Sequence, residues 1–280
     1  MKEEKEERKI PFLIGICGKM GSGKDTAAKM LGYIIENDIT EATTVAYSDY
    51  IHYNTAKELI KDDSESIINY IAFGDAVKQI TSTLFGIDIK YMYDRSGKDE
   101  LFYSPIRNNY ATIEGLNALN IKYIRSVKDF VNYFETIGCD LTNIVNFINR
   151  GTDYYFSIRA LIQFVGTDLF QSMFNKDIWI SIALNKLREY KCNIITDVRF
   201  HLEAYSINYY SSDFSKRGNI LKIINSSNDI YQSLNKGHIS ELNIDEIEAD
   251  DAIIWNGSNF NTLFFSLVEY YKNLKLKHKK

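Results

Sequence analysis

The pattern G-x-x-x-x-G-K at residues 18–24 constrains the fold of this chain more than any other feature. It follows the apolar run FLIGIC at residues 12–17 and precedes KDTAAKMLGYIIEN, whose apolar residues recur at helical spacing. In this order, glycines let successive N–H groups and the positive end of a helix dipole face one anion. The sequence therefore predicts a phosphate-binding loop, which we call the phosphate loop (residues 18–26).

The charged residues of the phosphate loop predict how it would hold a nucleotide. We expect Lys24 to lie at an exposed loop edge and to bridge the outer phosphates. Asp25 stands where such loops usually carry serine or threonine, and Thr26 follows. Two interpretations remain open: Thr26 supplies a hydroxyl to Mg²⁺, or Asp25 holds the ion through water. The residues expected to bind the nucleotide here are Gly18, Gly21, Ser22, Gly23, Lys24, Asp25 and Thr26.

Apolar runs of strand length recur along the chain. They are TTVAYS at 43–48, NYIAF at 69–73, CNIITDV at 192–198, NILKIIN at 219–225 and DAIIWN at 251–256. Helical patterns lie between most of them: DAVKQITSTLFG, SIRALIQFVGTDLF, KDIWISIALNKLREY and, at the end, FNTLFFSLVEYYKNL. This alternation predicts an α/β fold with a parallel sheet covered by helices on both faces, and ligands at the carboxyl ends of the strands.

Length and charge limit the classes of function. The 280 residues favour a single domain at 11–280 behind a charged tail at 1–10, with a helical or irregular insertion at about 86–156, where the alternation stops. The net charge of -4 argues against a nucleic-acid partner. No apolar stretch is long enough to cross a bilayer, and the three cysteines form no metal-ligand cluster. We therefore expect a cytoplasmic protein without a membrane partner.

The segment SIRALIQFVGTD carries a second set of polar side chains. Arg159 and Gln163 are four residues apart and therefore share one helix face. The residues that can face the core are Ile158, Leu161, Ile162 and Val165. An arginine donates two parallel bonds to a phosphate, and a glutamine offers both a donor and an acceptor to a base edge. The pair predicts a nucleotide contact or, alternatively, a solvated helix face.

A third polar group follows the apolar strand in NIITDVRFHLEA. Asp197 and Arg199 lie at the carboxyl end of this strand on one side of the extended chain, and Glu203 lies on the next helix. Beside a phosphate loop, the aspartate is expected to hold water on Mg²⁺, and the arginine is expected to grip phosphate. The alternative is a structural ion pair between Asp197 and Arg199 that closes the strand.

Together these segments resemble the deoxynucleoside monophosphate kinases encoded by tailed phages. The resemblance includes GKMGSGKDT, in which the aspartate after the lysine is usual for that family, and AFGDAVKQ at 72–79. Its other segments are SIRALIQFVGTDLF followed by WI at 179–180, ITDVRFHLEA, HISE at 238–241 and DDAIIWNGS at 250–258. It covers most of the chain outside about 36–66 and 86–156.

The resemblance implies a P-loop kinase fold that transfers the γ-phosphate of ATP, with Mg²⁺, to a deoxynucleoside 5′-monophosphate. It also implies a homodimer, a short lid at about 226–247 and, for a viral protein, a location in the host cytoplasm. The acceptor-binding residues are then Asp75, Lys78, Arg159, Gln163, Thr167, Asp168, Trp179 and Arg199, and those near the adenine of ATP are Asn256 and Gly257. Catalytic roles fall on Lys24, Asp197 and Arg199, and Mg²⁺ contacts fall on Asp25, Thr26 and Asp197.

Three other classes fit parts of the pattern. A phosphomevalonate or similar small-metabolite kinase also carries Gly-Lys-Asp in its loop and an acid and an arginine after a core strand, but Gln163 beside Arg159 favours a base. A nucleotide-dependent switch protein usually adds an arginine finger or a partner surface, which the sequence does not identify. A binding module without catalysis is disfavoured because Lys24 and Asp197 are both present.

Overall fold

The computed structural model describes residues 12–57, 66–85, 87–94, 101–103, 155–171, 174–210, 218–227 and 239–277. Its strands are β1 (Leu13–Cys17), β2 (Ile68–Ile71), β3 (Leu101–Tyr103), β4 (Tyr155–Ser157), β5 (Cys192–Val198), β6 (Asn219–Asn225) and β7 (Asp251–Trp255). Its α-helices are α1 (Lys24–Glu36), α2 (Thr44–Lys57), α3 (Phe73–Phe85), α4 (Ile89–Tyr93), α5 (Ile158–Gln163), α6 (Ile178–Leu184), α7 (His201–Tyr210), α8 (Ile239–Glu246) and α9 (Phe260–Lys277). A π-helix spans Phe164–Gln171.

These elements divide between two compact units. The first, which we call the sheet unit, takes in the described residues up to Ala72 and from Lys186 onward. The second, the helical unit, takes in those from Phe73 to Asn185. The prediction of a single domain remains a prediction, and the insertion expected at about 86–156 lies mostly outside the described residues.

The sheet unit is built on five strands in the order β2-β5-β1-β6-β7. All four strand pairs are parallel, with Ile14 of β1 opposite Ile194 of β5 and Asn219 of β6. The strands predicted at 12–17, 69–73, 192–198, 219–225 and 251–256 are confirmed to within two residues at each end. The α/β fold with a parallel sheet is therefore confirmed.

Helices cover both faces of this sheet. On one face, α1 and α9 bury Leu31, Ile34 and Phe264 against strand residues such as Ile14. On the other face, α7 approaches β1 so closely that a Cβ on Gly15 would lie 2.7 Å from Cδ1 of Ile207. A side chain there would force the ends of the Ile207 and Ile220 side chains to shift, so the glycine allows the helix and the sheet to pack this closely.

The strand predicted at residues 43–48 is wrong, because this segment begins α2. Tyr47, Tyr50 and Tyr53 are spaced three apart, so one face of a helix presents all three rings. Tyr50 and Tyr53 pack on Tyr33 at centroid distances of 5.4 and 4.9 Å, and Tyr47 packs on Phe264 at 5.5 Å. The aromatic contacts with α1 and α9 therefore outweigh the strand propensity of the short apolar run.

The helical unit contains the antiparallel pair of β3 with β4, and α3 packs against α6 and the π-helix. The sequence predicted one continuous helix at 157–170, but α5 ends at Gln163 and the π-helix follows. The carbonyl of Gly166 in the π-helix accepts the indole N–H of Trp179 at 2.8 Å, and the position of a Cβ on Gly166 lies 3.1 Å from Val77. The helix predicted at 176–190 is shorter as well, since α6 ends at Leu184.

Candidate active site

Four strands bring the residues predicted to bind ATP and Mg²⁺ to one edge of the sheet. Because β1, β5, β6 and β7 are parallel, their last residues share the carboxyl edge, and they are Cys17, Val198, Asn225 and Trp255. The phosphate loop follows β1, and Asp197 lies at the end of the adjacent β5. The Asn256–Gly257 segment follows β7. This edge is where parallel α/β sheets bind ligands.

The backbone of the phosphate loop adopts conformations that only glycine takes readily. Gly21 and Gly23 have φ angles of 77° and 88°, in the left-handed region. The turn is closed by a hydrogen bond from the Ser22 N–H to the Lys19 carbonyl at 3.0 Å. The Ala27 N–H then donates to the Gly23 carbonyl at 2.8 Å, which begins α1. The loop therefore delivers the amino end of a helix to the sheet edge, as an anion site requires.

The hydroxyl of Ser22 tests whether this loop fits a polyphosphate. Ser22 is 2% exposed, and its Oγ has no hydrogen-bond partner within the part of the chain that the structure describes. A buried hydroxyl without a partner costs about 1–3 kcal/mol, so such groups in native proteins usually serve a ligand, a water or an ion. A phosphate oxygen in the loop would satisfy it, and the residues present therefore fit this ligand.

Lys24 is buried, with 8% of its surface exposed, so the expectation that it lies at an exposed loop edge is wrong. It is the first residue of α1 and directly follows the turn at Gly23. Burial raises the pKa of the neighbouring Cys17 thiol to about 11, although the charges of Lys222 and Lys24 oppose this rise. Cys17 therefore stays protonated and packs as a small apolar residue, and Cys192 is likewise buried and free.

Asp25 and Thr26 both lie half-buried in the first turn of α1. This position suits either interpretation of the Mg²⁺ contact, so the two remain open. Thr26 offers a hydroxyl one residue after the usual position, and Asp25 adds a negative charge at the positive end of the helix.

Glu203 organises the backbone that carries Arg199. Its Oε2 accepts the backbone N–H of Arg199 at 2.7 Å and that of Phe200 at 3.1 Å, which caps the start of α7. Burial and the negative charge of Asp197 raise the pKa of Glu203 to about 8, against the opposing effect of these bonds and of the Arg199 charge. Asp197 and Arg199 themselves are half-buried.

We expect Glu203→Gln to stabilise the protein at high pH, because an amide keeps an acceptor for the two N–H groups without a buried charge. The pKa of this carboxyl is higher in the folded protein than in the unfolded chain, so its protonated form stabilises the fold. This contribution is complete below the unfolded-state pKa and is lost as pH rises through about 8, where the buried carboxyl becomes charged. The variant should therefore be more stable near pH 8 by roughly 2–4 kcal/mol, with little difference near pH 4. Urea unfolding without nucleotide or Mg²⁺ measures this.

Glu269→Gln is the matched control, since Glu269 lies on α9 with 56% of its side chain exposed. It should leave the pH dependence of the free energy of unfolding unchanged. Equal pH profiles for wild type and Glu203→Gln would contradict the raised pKa of Glu203.

Asn225 joins the phosphate loop to the segment after β7. Its Nδ2 donates to the Gly21 carbonyl at 3.3 Å, and a Cβ on Gly257 would lie 2.5 Å from the same nitrogen. Gly257 has a φ of 76°, and Asn256 Oδ1 accepts the N–H groups of Ser258 and Asn259, which fixes the turn. The two glycine turns therefore lie against one amide side chain.

Sequence reasoning missed three groups around the phosphate loop. The indole N–H of Trp255 donates to the Ser22 carbonyl at 2.8 Å, and Lys19 pairs with Asp245 of α8 at 2.7 Å. Asn225 is the third. Their positions at strand ends or in the loop itself were visible, but each partner is more than 200 residues away in the chain.

In the helical unit, several predicted acceptor residues lie on α5 and the π-helix. Arg159 is exposed and Gln163 half-buried, whereas Ile158, Leu161 and Val165 are buried as predicted. Ile162 is only half-buried. Thr167 is exposed on the π-helix, and the Asp168 side chain lies outside the described residues. Trp179 is 6% exposed and reaches Gly166 with its N–H. π-Helical turns occur frequently at functional sites.

Asp75 and Lys78 form one cluster with a residue that the sequence did not indicate. Their side chains pair at 3.1 Å on successive turns of α3. Tyr93 donates its hydroxyl to Asp75 Oδ1 at 2.9 Å, and the Lys78 ammonium lies 4.3 Å from the centre of the Tyr93 ring. The cluster therefore fixes both predicted residues within the helical unit.

A parallel sheet with a phosphate loop, an acid and an arginine at its carboxyl edge is the arrangement expected of an α/β P-loop kinase fold. The chain belongs to the deoxynucleotide monophosphate kinase family, which it matches over residues 12–266. It is therefore a phosphotransferase that acts on deoxynucleoside monophosphates, and the resemblance drawn from its motifs is confirmed. A comparison with curated proteins finds no match. Among the described helices, none is long and apolar enough to cross a membrane.

Proposed function

We propose that the phosphate loop binds the triphosphate of ATP and that the sheet unit neutralises charge on the transferred phosphate. The observation that carries this proposal is the buried Ser22 hydroxyl, which lacks a partner among the described residues, inside a loop with two left-handed glycines. Phosphoryl transfer needs mainly positioning and charge neutralisation, and little covalent chemistry from the protein.

Each charged group at the sheet edge then has a role. Lys24 contacts the outer phosphates, and Arg199 adds a second positive charge on a backbone held by Glu203. Asp197, together with Asp25 or Thr26, would hold Mg²⁺. When bound, Mg²⁺ supplies a divalent charge that offsets the phosphate oxygens.

The Asn256–Gly257 turn is proposed to lie near the adenine. The shared contact with Asn225 supports this, because it joins that turn to Gly21 of the phosphate loop. An adenine beside the turn would meet backbone groups or the Asn256 amide nitrogen, since the Asn256 oxygen already accepts two N–H groups.

The helical unit is proposed to bind the acceptor. Arg159 contacts its phosphate and Gln163 its base, as their common helix face suggests. The N–H of Trp179 already donates to the Gly166 carbonyl. We therefore propose that Trp179 contributes to this site through its ring and not through a hydrogen bond to the acceptor. The other acceptor residues that we propose are Asp75, Lys78, Thr167, Asp168 and Arg199.

A panel of parallel incubations tests the proposed reaction. Each contains the protein, ATP, Mg²⁺ and one acceptor, and the acceptors are the deoxynucleoside monophosphates, the ribonucleotides and phosphomevalonate. The products of each reaction are then resolved. We expect ADP and a deoxynucleoside diphosphate in equal amounts. Transfer to phosphomevalonate, or release of free phosphate alone, would support the alternative classes instead.

Substitution of the two polar residues of α5 should change different kinetic constants. Arg159→Ala should raise the acceptor KM for every accepted base, whereas Gln163→Ala should change the ratio of kcat/KM among bases. Each lost base bond costs about 0.5–1.5 kcal/mol. The KM for ATP should hardly change in either variant. Steady-state kinetics on the accepted deoxynucleotides measure these constants.

Gln79→Ala is a control in the helical unit, because Gln79 is exposed on α3. It should leave the ratios among bases unchanged. An equal loss on every acceptor for Gln163→Ala would mean that its amide braces the helix and reads no base.

The homodimer, the lid at about 226–247, the absence of a nucleic-acid partner and the cytoplasmic location remain predictions. Residues 228–238, which are half of the lid segment, lie outside the described residues. Sedimentation at several protein concentrations tests the dimer directly.

A further inference from the structure

Trp255 forms a buried contact with the backbone of the phosphate loop. It is the last residue of β7 and is 5% exposed. Its Nε1–H donates to the Ser22 carbonyl at 2.8 Å, which joins residues 233 apart in the sequence. The bond is made by the side chain, so it is separate from the backbone pairing of β7 in the sheet.

This bond fixes the direction of one peptide unit. The described chain contains no cis peptide bonds, and in a trans peptide the C=O and the following N–H point in opposite directions. Since the Ser22 carbonyl points at the indole, the Gly23 N–H of the same unit points away from it. The ring also contacts the loop directly, because a Cβ on Gly23 would lie 2.5 Å from Cζ2 of Trp255.

The indole is itself held in place. Its ring packs against Phe260 at a centroid distance of 5.4 Å. The Trp255 carbonyl accepts the backbone N–H of Ser226 at 2.8 Å and its hydroxyl at 3.1 Å. A donor fixed in this way holds the loop without reorganising when an anion binds.

We propose that Trp255 is a positioning residue, whose indole N–H holds the Ser22–Gly23 peptide with the Gly23 N–H directed at a bound polyphosphate. This inference rests on the proposed binding of ATP at the phosphate loop. Without the indole bond, the peptide can rotate at low cost, because glycine at position 23 tolerates both signs of φ. The loop would then present its amides to phosphate for only part of the time.

The test separates the hydrogen bond from the packing of the ring. Trp255→Phe removes the N–H and part of the ring. Replacement of Trp255 by 3-benzothienylalanine removes only the N–H and keeps the bicyclic shape, so it remains informative if the phenylalanine variant folds poorly. The control is Tyr270→Phe, which removes a buried hydrogen bond to Asn219 at the amino end of β6.

Calorimetric titration with ADP and with inorganic tripolyphosphate gives the readout. Both Trp255 variants should bind each ligand about 3- to 10-fold more weakly than wild type, which corresponds to one lost hydrogen bond. Tyr270→Phe should match wild type for both ligands, although it lowers the melting temperature.

Each other outcome overturns the inference. If ADP binding weakens and tripolyphosphate binding does not, Trp255 acts through the adjacent Asn256–Gly257 turn. If wild type and variants bind both ligands equally, the bond does not position the loop. If wild type binds neither ligand, the proposed nucleotide site itself is wrong, and the inference falls with it.

Discussion

Lys24→Ala is expected to lower kcat by at least about 100-fold, because the lysine stabilises charge that develops on the transferring phosphate. Lys24 is buried, so the alanine variant also loses packing around its aliphatic stem. Lys24→Met keeps most of that stem and should lose the same activity with a smaller change in stability. Product formation from ATP and a deoxynucleoside monophosphate, together with thermal unfolding, measures both effects.

Lys29→Ala is the matched control for this prediction. It removes the same charge from the same helix, but Lys29 is exposed. Its turnover should stay within about twofold of wild type, since solvent screens an exposed charge that lies more than one helical turn after Lys24. Near-normal turnover by a folded Lys24→Met protein would exclude the phosphate loop from the mechanism.

Asp197→Asn is expected to lower turnover and to weaken the dependence on Mg²⁺. The amide keeps the shape of the carboxylate but lacks the charge that attracts a hard cation. The loss of kcat should be about 10- to 100-fold, and the Mg²⁺ concentration at half-maximal rate should rise. Rates measured over a range of Mg²⁺ concentrations at saturating ATP test this.

Asp251→Asn provides the comparison. Asp251 begins β7 at the opposite edge of the sheet and pairs with Lys277 at 3.1 Å, so its change should affect stability alone. An unchanged Mg²⁺ titration for Asp197→Asn would instead favour a structural ion pair between Asp197 and Arg199. Both aspartates undergo the same chemical change, so the position within the sheet is the variable.

The sequence predicts most of the sheet because buried parallel strands are nearly continuous apolar runs. The strands β5 and β6 begin and end where the patterns at 192–198 and 219–225 do. The helix α2 was missed for the opposite reason. Its apolar run is short, and the choice between helix and strand depends on ring contacts of Tyr47 and Tyr50 with residues far along the chain.

The same physical limit applies to the candidate site. Motif spacing predicts the phosphate loop and the position of Asp197 at the sheet edge, because the loop directly follows a strand and Asp197 lies at the end of one. It does not predict the bonds from Trp255 and Asn225 to the loop backbone, which depend on strand order in the sheet. The π-helix is also beyond local sequence rules, since it accompanies the bond from Trp179 to Gly166.

The two tryptophans of the chain lie in different units, and each gives its N–H to a backbone carbonyl of a predicted binding segment. Indole fluorescence responds to changes at that N–H, so each tryptophan is expected to report on one of the two proposed substrate sites. In Trp179→Phe the remaining emission comes from Trp255 and should respond to ATP. In Trp255→Phe it comes from Trp179 and should respond to the deoxynucleotide. The order in which the two substrates bind can therefore be followed by stopped-flow fluorescence without an attached dye.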